Sequence, residues 1–232
     1  MRDEDLRSVR GLRLFADMAD AHFADLMRVA YLQSFPPQVQ LIAEGEPADF
    51  LHVVVAGAVE LFACANNRET TMATVRPVST FILAAVLKDA AYLMSARTLE
   101  KSRVLLIPSD NIRAVMDVDP AFNRAIIVEL ASCYRAVVKA QKDLKLRTGV
   151  ERLANYLLRH HAAQGGNGTV ALQIEKRVLA GQLGMTPENL SRAFGTLKPY
   201  GVEVDGAQIT LTALADLEGL AKPNPLIDDP SI

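Results

Sequence analysis

The chain has 232 residues, half of them hydrophobic, with 25 basic and 27 acidic side chains and a net charge of −2. That length holds two ordinary domains, and near-neutral charge excludes a protein that attracts polyanions by bulk charge alone. No stretch reaches the apolar length of a membrane span, the N-terminus MRDEDLRSVR is too charged for a signal peptide, and Cys64 and Cys133 form no metal-spaced cluster, so a reduced, cytoplasmic protein with no membrane partner is predicted.

Residues 4–30 are expected as one or two short amphipathic helices burying Leu12, Phe15, Phe23, Leu26 and Met27. From about Tyr31 to Pro108 the pattern turns strand-like: FLHVVVAG, AVELFACA, TTMATV and TLEKSRVLLIP, punctuated by Gly57, Asn66-Asn67, Pro77 and Pro108. That spacing predicts an antiparallel barrel or roll, with a more helical stretch from Ile82 to Tyr92. The first domain is placed at residues 1–117.

Residues 118–145 are predicted as one long helix opening at Asp119, with Pro120 in its first turn. Phe122, Ile126, Leu130, Cys133, Val137, Ala140 and Leu144 repeat at heptad spacing after the first step, while Arg124, Glu129, Arg135, Lys139 and Lys142 occupy the other face. A core helix fits the same periodicity. Its length and its place between two domains favour a two-stranded dimer seam of Ile126, Leu130, Cys133, Val137, Ala140 and Leu144.

A further domain is placed at residues 146–221: a helix from Arg147 to Ala163, the link Gly165-Gly166-Asn167-Gly168, then two helices around a tight turn. Val178, Leu179 and Leu183 repeat at helical interval before Gly184, which can end that helix. Thr186 suits an N-cap and Pro187 the first helical position. Leu190, Phe194 and Leu197 form the buried stripe of the second helix. Val202–Ile209, with Asp205-Gly206 at its tip, reads as a hairpin wing. The tail 222–232 is expected to be disordered.

Glu188, Ser191 and Arg192 share the other side of the second helix. Near the N-terminus of the second helix of a helix-turn-helix, such a cluster reads base edges. Arginine pairs with guanine through two parallel hydrogen bonds, a carboxylate accepts from the cytosine amino group, and serine reaches a base or phosphate. Lys176, Arg177 and Thr186 are the further candidates for DNA contact. Between Arg147 and Gly201 seven basic residues face three acidic ones, a local surplus suited to phosphates. An exposed Glu188–Arg192 pair in an ordinary helical domain is the plain alternative, and a ligand-sensing subunit docking protein rather than DNA is the rival class. No phosphate loop, nucleophile elbow or H-E-x-x-H motif is present, so no enzyme is predicted.

An α+β chain with an N-terminal antiparallel β-roll (cyclic-nucleotide-binding-like), a long dimerisation helix and a C-terminal winged helix-turn-helix resembles the Crp/Fnr family of bacterial transcription regulators. EGEPADFLHVVVAGAVELF looks like the family's glycine-punctuated strands, SARTLEKSRVLLIP like the strand pair of the Fnr branch, and PENLSR carries the E-x-x-S-R recognition motif. The resemblance runs from Leu14 to Leu220. It implies a homodimeric regulator on double-stranded DNA with palindromic TTG-like half-sites and RNA polymerase as a partner.

Departures from the family pattern narrow the signal. Leu83 and Ala84 stand where cyclic-AMP-binding members have Gly-Glu, and Met94 stands where arginine is expected, so no cyclic AMP is predicted. The N-terminal region has no cysteine, which argues against an iron–sulfur cluster. The apolar stretch FILAAVLKDAAYLMSARTLEKSR is similar to the nitric-oxide-responsive Dnr and NnrR regulators of denitrification. That implies an activator sensing nitric oxide through haem, with His52 and His22 as candidate axial ligands; His160 and His161 end the first helix of the second domain, where the dipole favours a cation, and read as structural or phosphate-facing. Oxygen, redox or an organic ligand are the alternative signals.

Overall fold

A computed structural model of the chain describes residues 3–229. The chain divides into two compact units, Met1–Tyr134 and Arg135–Ile232.

The first unit opens with α1 (Asp3–Arg10) and α2 (Asp20–Val29). Strands β1 (Tyr31–Phe35), β2 (Gln40–Ile42), β3 (Phe50–Ala56), β4 (Val59–Ala65), β5 (Arg68–Val75) and β6 (Ser79–Phe81) follow. Then come α3 (Leu83–Lys88), β7 (Ser95–Thr98), β8 (Ser102–Pro108) and α4 (Ser109–Val118). Two four-stranded antiparallel sheets form, in the orders β1-β8-β3-β6 and β2-β7-β4-β5. The run VVV in β3 lacks polar alternation because both faces of this strand are covered.

Register sorts the side chains. Leu106 lies opposite His52, Val104 opposite Val54, and Gln33 opposite Val104, so Gln33, Phe35, Phe50, His52 and Leu106 share one face of the first sheet. Leu51, Val53, Leu105 and Ile107 take the other face and are fully buried, where α1, α2 and α4 contact β3 and β8. The segment TLEKSRVLLIP is not one strand: a turn at 99–101 divides β7 from β8. Gly57 packs on that turn at φ +87, where a Cβ would come within 2.7 Å of the Lys101 carbonyl oxygen, so only glycine fits.

Helix α5 (Pro120–Leu146) begins where Asp119 Oδ1 accepts from Phe122 N at 3.0 Å. Its first turns belong to the first unit's core: Phe122 is fully buried and stacks on Phe15 at 5.9 Å, and Ile126 is 1 % exposed. This corrects the predicted seam at Ile126, which packs inside its own unit. Leu130 packs partly on the same core. Further along, Ile127, Tyr134, Val137 and Leu144 are exposed, with Cys133 and Ala140 beside them. The exposed apolar positions here therefore include Ile127, Tyr134, Val137 and Leu144, with Ile127 and Tyr134 one residue later than the expected Ile126 and Cys133. Heptad spacing is the same whether a turn faces a core or solvent, so periodicity alone does not separate the two.

The second unit continues with α6 (Gly149–Ala163), β9 (Thr169–Ala171), α7 (Lys176–Gln182), α8 (Pro187–Leu197), β10 (Val202–Asp205), β11 (Gln208–Leu211), α9 (Leu214–Ala221) and α10 (Pro225–Asp228). Thr148 and Glu151 make a reciprocal capping box at the start of α6. Leu153, Leu157, Leu179, Leu190, Leu197, Val202 and Ile209 build the core. The wing is a three-stranded sheet, β10-β11-β9, with Gly206 and Ala207 at the tip and Asp205 paired to Gln208. The Gln164 side-chain amide pairs with the Ala171 backbone in both directions, at 3.0 and 2.8 Å. His161 Nε2 accepts from Gly168 N at 2.9 Å.

The tail is not disordered as far as Asp229, which corrects the expectation for 222–229; residues 230–232 lie outside the described residues. Asp228 receives both terminal nitrogens of Arg147, at 2.9 and 2.5 Å, and Arg159 at 2.5 Å. Lys139 Nζ donates to the Asp229 carbonyl at 2.6 Å. Asn155 Nδ2 donates to the Ala221 carbonyl at 2.7 Å.

Candidate nucleic-acid interface

Helices α7 and α8 are joined by a turn that Gly184 makes possible. Its φ is +62, and a Cβ there would lie 2.6 Å from Leu144 Cδ2. The turn therefore needs glycine for its conformation and for the approach of the long helix's last turns. Arg152 holds the same turn from α6: Nε donates to the Leu183 carbonyl at 2.7 Å, and one terminal nitrogen to the Arg147 carbonyl at 2.7 Å.

Thr186 is the N-cap of α8, its Oγ1 accepting from Asn189 N at 3.2 Å, with Pro187 next. Leu190, Ala193, Phe194 and Leu197 bury one side. Glu188, Ser191 and Arg192 stand exposed on the other, where the first turn of the helix points its amides outward. The hydrogen bond with Thr186, its own backbone amide and the nearby Arg192 hold the Glu188 carboxyl below its ordinary pKa, so it is an anion and an acceptor only. Arg192 donates to Asn189 Oδ1 at 2.5 Å. Asn189 is the residue that sequence reasoning passed over; its place three before the arginine was the available signal.

The exposed Lys176 stands with Nζ 5.8 Å from the Phe194 ring centroid, and Arg177 is exposed beside it at the start of α7. The local basic surplus is smaller in space than in sequence. Arg147 and Arg159 are bound to Asp228 and Arg152 to carbonyls, so Lys176, Arg177, Arg192 and Lys198 are the exposed cations of this stretch. His160 stacks on Tyr156 at 3.9 Å, and the His161–Gly168 bond makes that histidine structural too.

The two histidines of the first unit differ. His22 Nδ1 lies 2.8 Å from Asp119 Oδ2, the carboxylate that also receives Ala19 N. It thus braces the start of α5. His52 is 3 % exposed, packs on Phe81 at 5.1 Å between ring centroids, and donates from Nδ1 to the Phe50 carbonyl at 3.1 Å. Burial lowers its pKa to about 4. A cavity of ≈ 310 Å³ opens beside it, lined in part by Gln40, Glu46, Asp49 and Tyr92.

That surround does not fit haem. The volume is at the bottom of the range for small-ligand pockets, two carboxylates line it, and among the described residues no lysine or arginine lines it to receive propionates. His22 offers no apolar slot, being tied to Asp119. Where a cyclic phosphate would need amides and an arginine, Leu83 is 5 % exposed and Met94 packs against the same core.

Comparison with known proteins agrees with this division. Residues 32–119 match the cyclic nucleotide-binding domain family, and residues 151–220 match the Crp-like helix-turn-helix domain family. The CRP-like cAMP-activated global transcriptional regulator of Mycobacterium tuberculosis is 23 % identical over 215 residues, 90 % of this chain and 95 % of that protein. The transcriptional activator protein anr of Pseudomonas aeruginosa is 22 % identical over 186 residues, 78 % of this chain and 76 % of that protein. The solved structure of FixK2 from Bradyrhizobium japonicum superposes with a TM-score of 0.72 at 25 % identity, covering 84 % of this chain and 99 % of that one.

Proposed function

Since the chain belongs to the Crp/Fnr family of DNA-binding transcription regulators, we propose that it works as a homodimeric, signal-gated activator on palindromic TTG-like half-sites. The observation that carries this is the capped α8 with Glu188, Ser191 and Arg192 all exposed over its first turns. Arg192 reads guanine, Glu188 the opposing cytosine, and Ser191 supports them. Lys176 and Arg177 contact phosphates, and Thr186 sets the start of the reading helix. The exposed stripe from Ile127 to Leu144 pairs two copies, and two-fold symmetry then places half-sites about one helical turn apart. RNA polymerase is the partner such an activator engages.

For the signal, nitric oxide and the genes of nitrogen-oxide metabolism are supported by the resemblance of the stretch from Phe81 to Arg103 to the Dnr and NnrR regulators. An organic ligand is the second reading, favoured by the cavity beside His52. The test is binding of a fluorescent TTG-palindrome duplex under anaerobic conditions by apo protein, protein incubated with haem, and the latter with nitric oxide. Tight binding in the last sample alone supports the nitric-oxide reading and overturns the misfit with haem drawn from the lining of the His52 cavity. Equal binding in all three keeps the regulator and removes the haem switch; binding in none removes the nitric-oxide reading and leaves the organic-ligand one.

A further inference from the structure

We propose that the cavity beside His52 is a binding site for a small ligand presenting a primary ammonium on an apolar body. This rests on the sensor role proposed above only for its consequence at DNA.

The side chains of Gln33, Phe35, Phe50, His52 and Leu106 share one sheet face by register, and all five residues line the cavity. The Phe50 carbonyl oxygen accepts from His52 Nδ1 at 3.1 Å and from the Tyr92 hydroxyl at 3.3 Å. A carbonyl cannot donate, so Nδ1 carries the ring proton and Nε2 presents a lone pair. Nε2 has no hydrogen-bond partner among the described residues, although the histidine is 3 % exposed. Among the described residues the buried side-chain atom without a partner is Asn155 Oδ1; His52 Nε2 is not such an atom, so it is reached from the cavity and is open to accept from a ligand there.

The charged residues lining the cavity are Glu46 and Asp49. Burial raises the Tyr92 pKa, opposed by its bond to Phe50, and the two carboxylates raise it further, which marks a negative field at the hydroxyl. A neutral imidazole acceptor in that field selects a cationic donor and repels an anion. Among the described residues no group of three histidine, cysteine or carboxylate side chains is placed to hold a metal ion, so the class is an organic cation. Phe35, Leu41, Ile42 and Leu106 supply the apolar wall, and ≈ 310 Å³ suits a single ring with a short arm.

The probe is 2-phenylethylammonium, titrated into the full chain by calorimetry, with phenylacetate as the control of the same ring and opposite charge. The amine should saturate at one per chain and phenylacetate should not. Asp49→Asn and His52→Phe should each weaken the amine at least tenfold. Asp49 is exposed at the cavity rim, so its variant decides the matter even where His52→Phe disturbs the fold. No saturable amine binding, equal binding of amine and acid, or amine binding unchanged by Asp49→Asn overturns the proposal. A TTG-palindrome duplex is titrated into the same protein with and without the saturating amine: failure to bind in both states strikes the regulator reading and leaves the cavity result standing.

Discussion

Asp228 grips Arg147 with both carboxylate oxygens, at 2.9 and 2.5 Å, and the two side chains are 10 % and 7 % exposed. Arg147 sits just after the last turn of α5, where it also meets Asp143 at 2.8 Å, and Arg159 of α6 shares the same carboxylate. Helix α10 thus joins the two helices that meet at Arg147. Asp228→Ala leaves a nearly buried guanidinium with one carboxylate instead of two and should cost about 2 kcal/mol. Urea unfolding of the second unit measures it; Asp228→Ala within 0.5 kcal/mol of the parent shows that the pair contributes little.

Gly184→Ala combines a positive φ with a Cβ 2.6 Å from Leu144 Cδ2. A loss of about 1–3 kcal/mol is expected. Leu144→Ala added to it should recover the steric part and leave the backbone part, which a double-mutant cycle on thermal unfolding separates.

Acid should act in two windows. His52 has its pKa lowered by burial from 6.5 to about 4. The unfolded chain therefore binds the proton more readily, and the stability from keeping this ring neutral is full above pH 6.5 and is lost as pH falls toward 4. Asp119 is lowered from 3.8 to about 2, by the Phe122 amide first and then by His22. Its contribution, on the order of 2 kcal/mol, is present above pH 3.8 and lost below it. His52→Phe should flatten only the upper window in a pH series of unfolding free energies, and Asp119→Asn only the lower.

Arg192→Ala should cost roughly 1–3 kcal/mol on a matched duplex and relax discrimination at one guanine. Lys176→Ala should weaken matched and mismatched duplexes alike and lower the salt slope by about 1. An equal loss on both duplexes for Arg192→Ala removes its assignment as a base reader. Asn189→Ala tests whether the 2.5 Å bond to Asn189 holds the guanidinium ready.

Along α5 the chemistry of a substitution should depend on which side of the register it falls. Val137, 65 % exposed, changed to Asp should separate a dimer while leaving the unfolding midpoint of the first unit unchanged. Ile126→Ala, inside that unit's core, should cost about 2–4 kcal/mol. Sedimentation velocity paired with thermal unfolding checks both.

These contrasts also show which features local sequence could carry. The α8 cap, the Gly184 turn and the Val202–Leu211 hairpin rest on residues within nine positions of each other, and each reads directly from type and spacing. Ile126 does not, because facing a core is a property of what lies opposite the helix. Strand β9 was hidden because three residues after a glycine run carry no period of their own; it forms by pairing with β11. Asp228 was hidden for a different reason. Its partners Arg147 and Arg159 lie 81 and 69 residues earlier, and a composition rich in proline and acid looks the same whether or not such partners exist. The same blindness overstated the basic surplus, since arginines satisfied within the fold count equally with those facing outward. His52 could be found as a candidate, but its held tautomer and acid-lined surround could not.

The amide of Gln164, paired to Ala171 as a neighbouring strand would be, has a meaning beyond the wing's shape. Strand β9 is an outer strand of its sheet, and an outer strand with open backbone groups is a template on which another chain can zip. In the proposed dimer on DNA, copies of the chain would meet at a high local concentration, where such zipping is favoured. Gln164 occupies the donor and acceptor of Ala171 with a side chain that cannot propagate further. On the β9 edge Ala171 is thereby closed to a further strand, whatever brings copies of the chain close together.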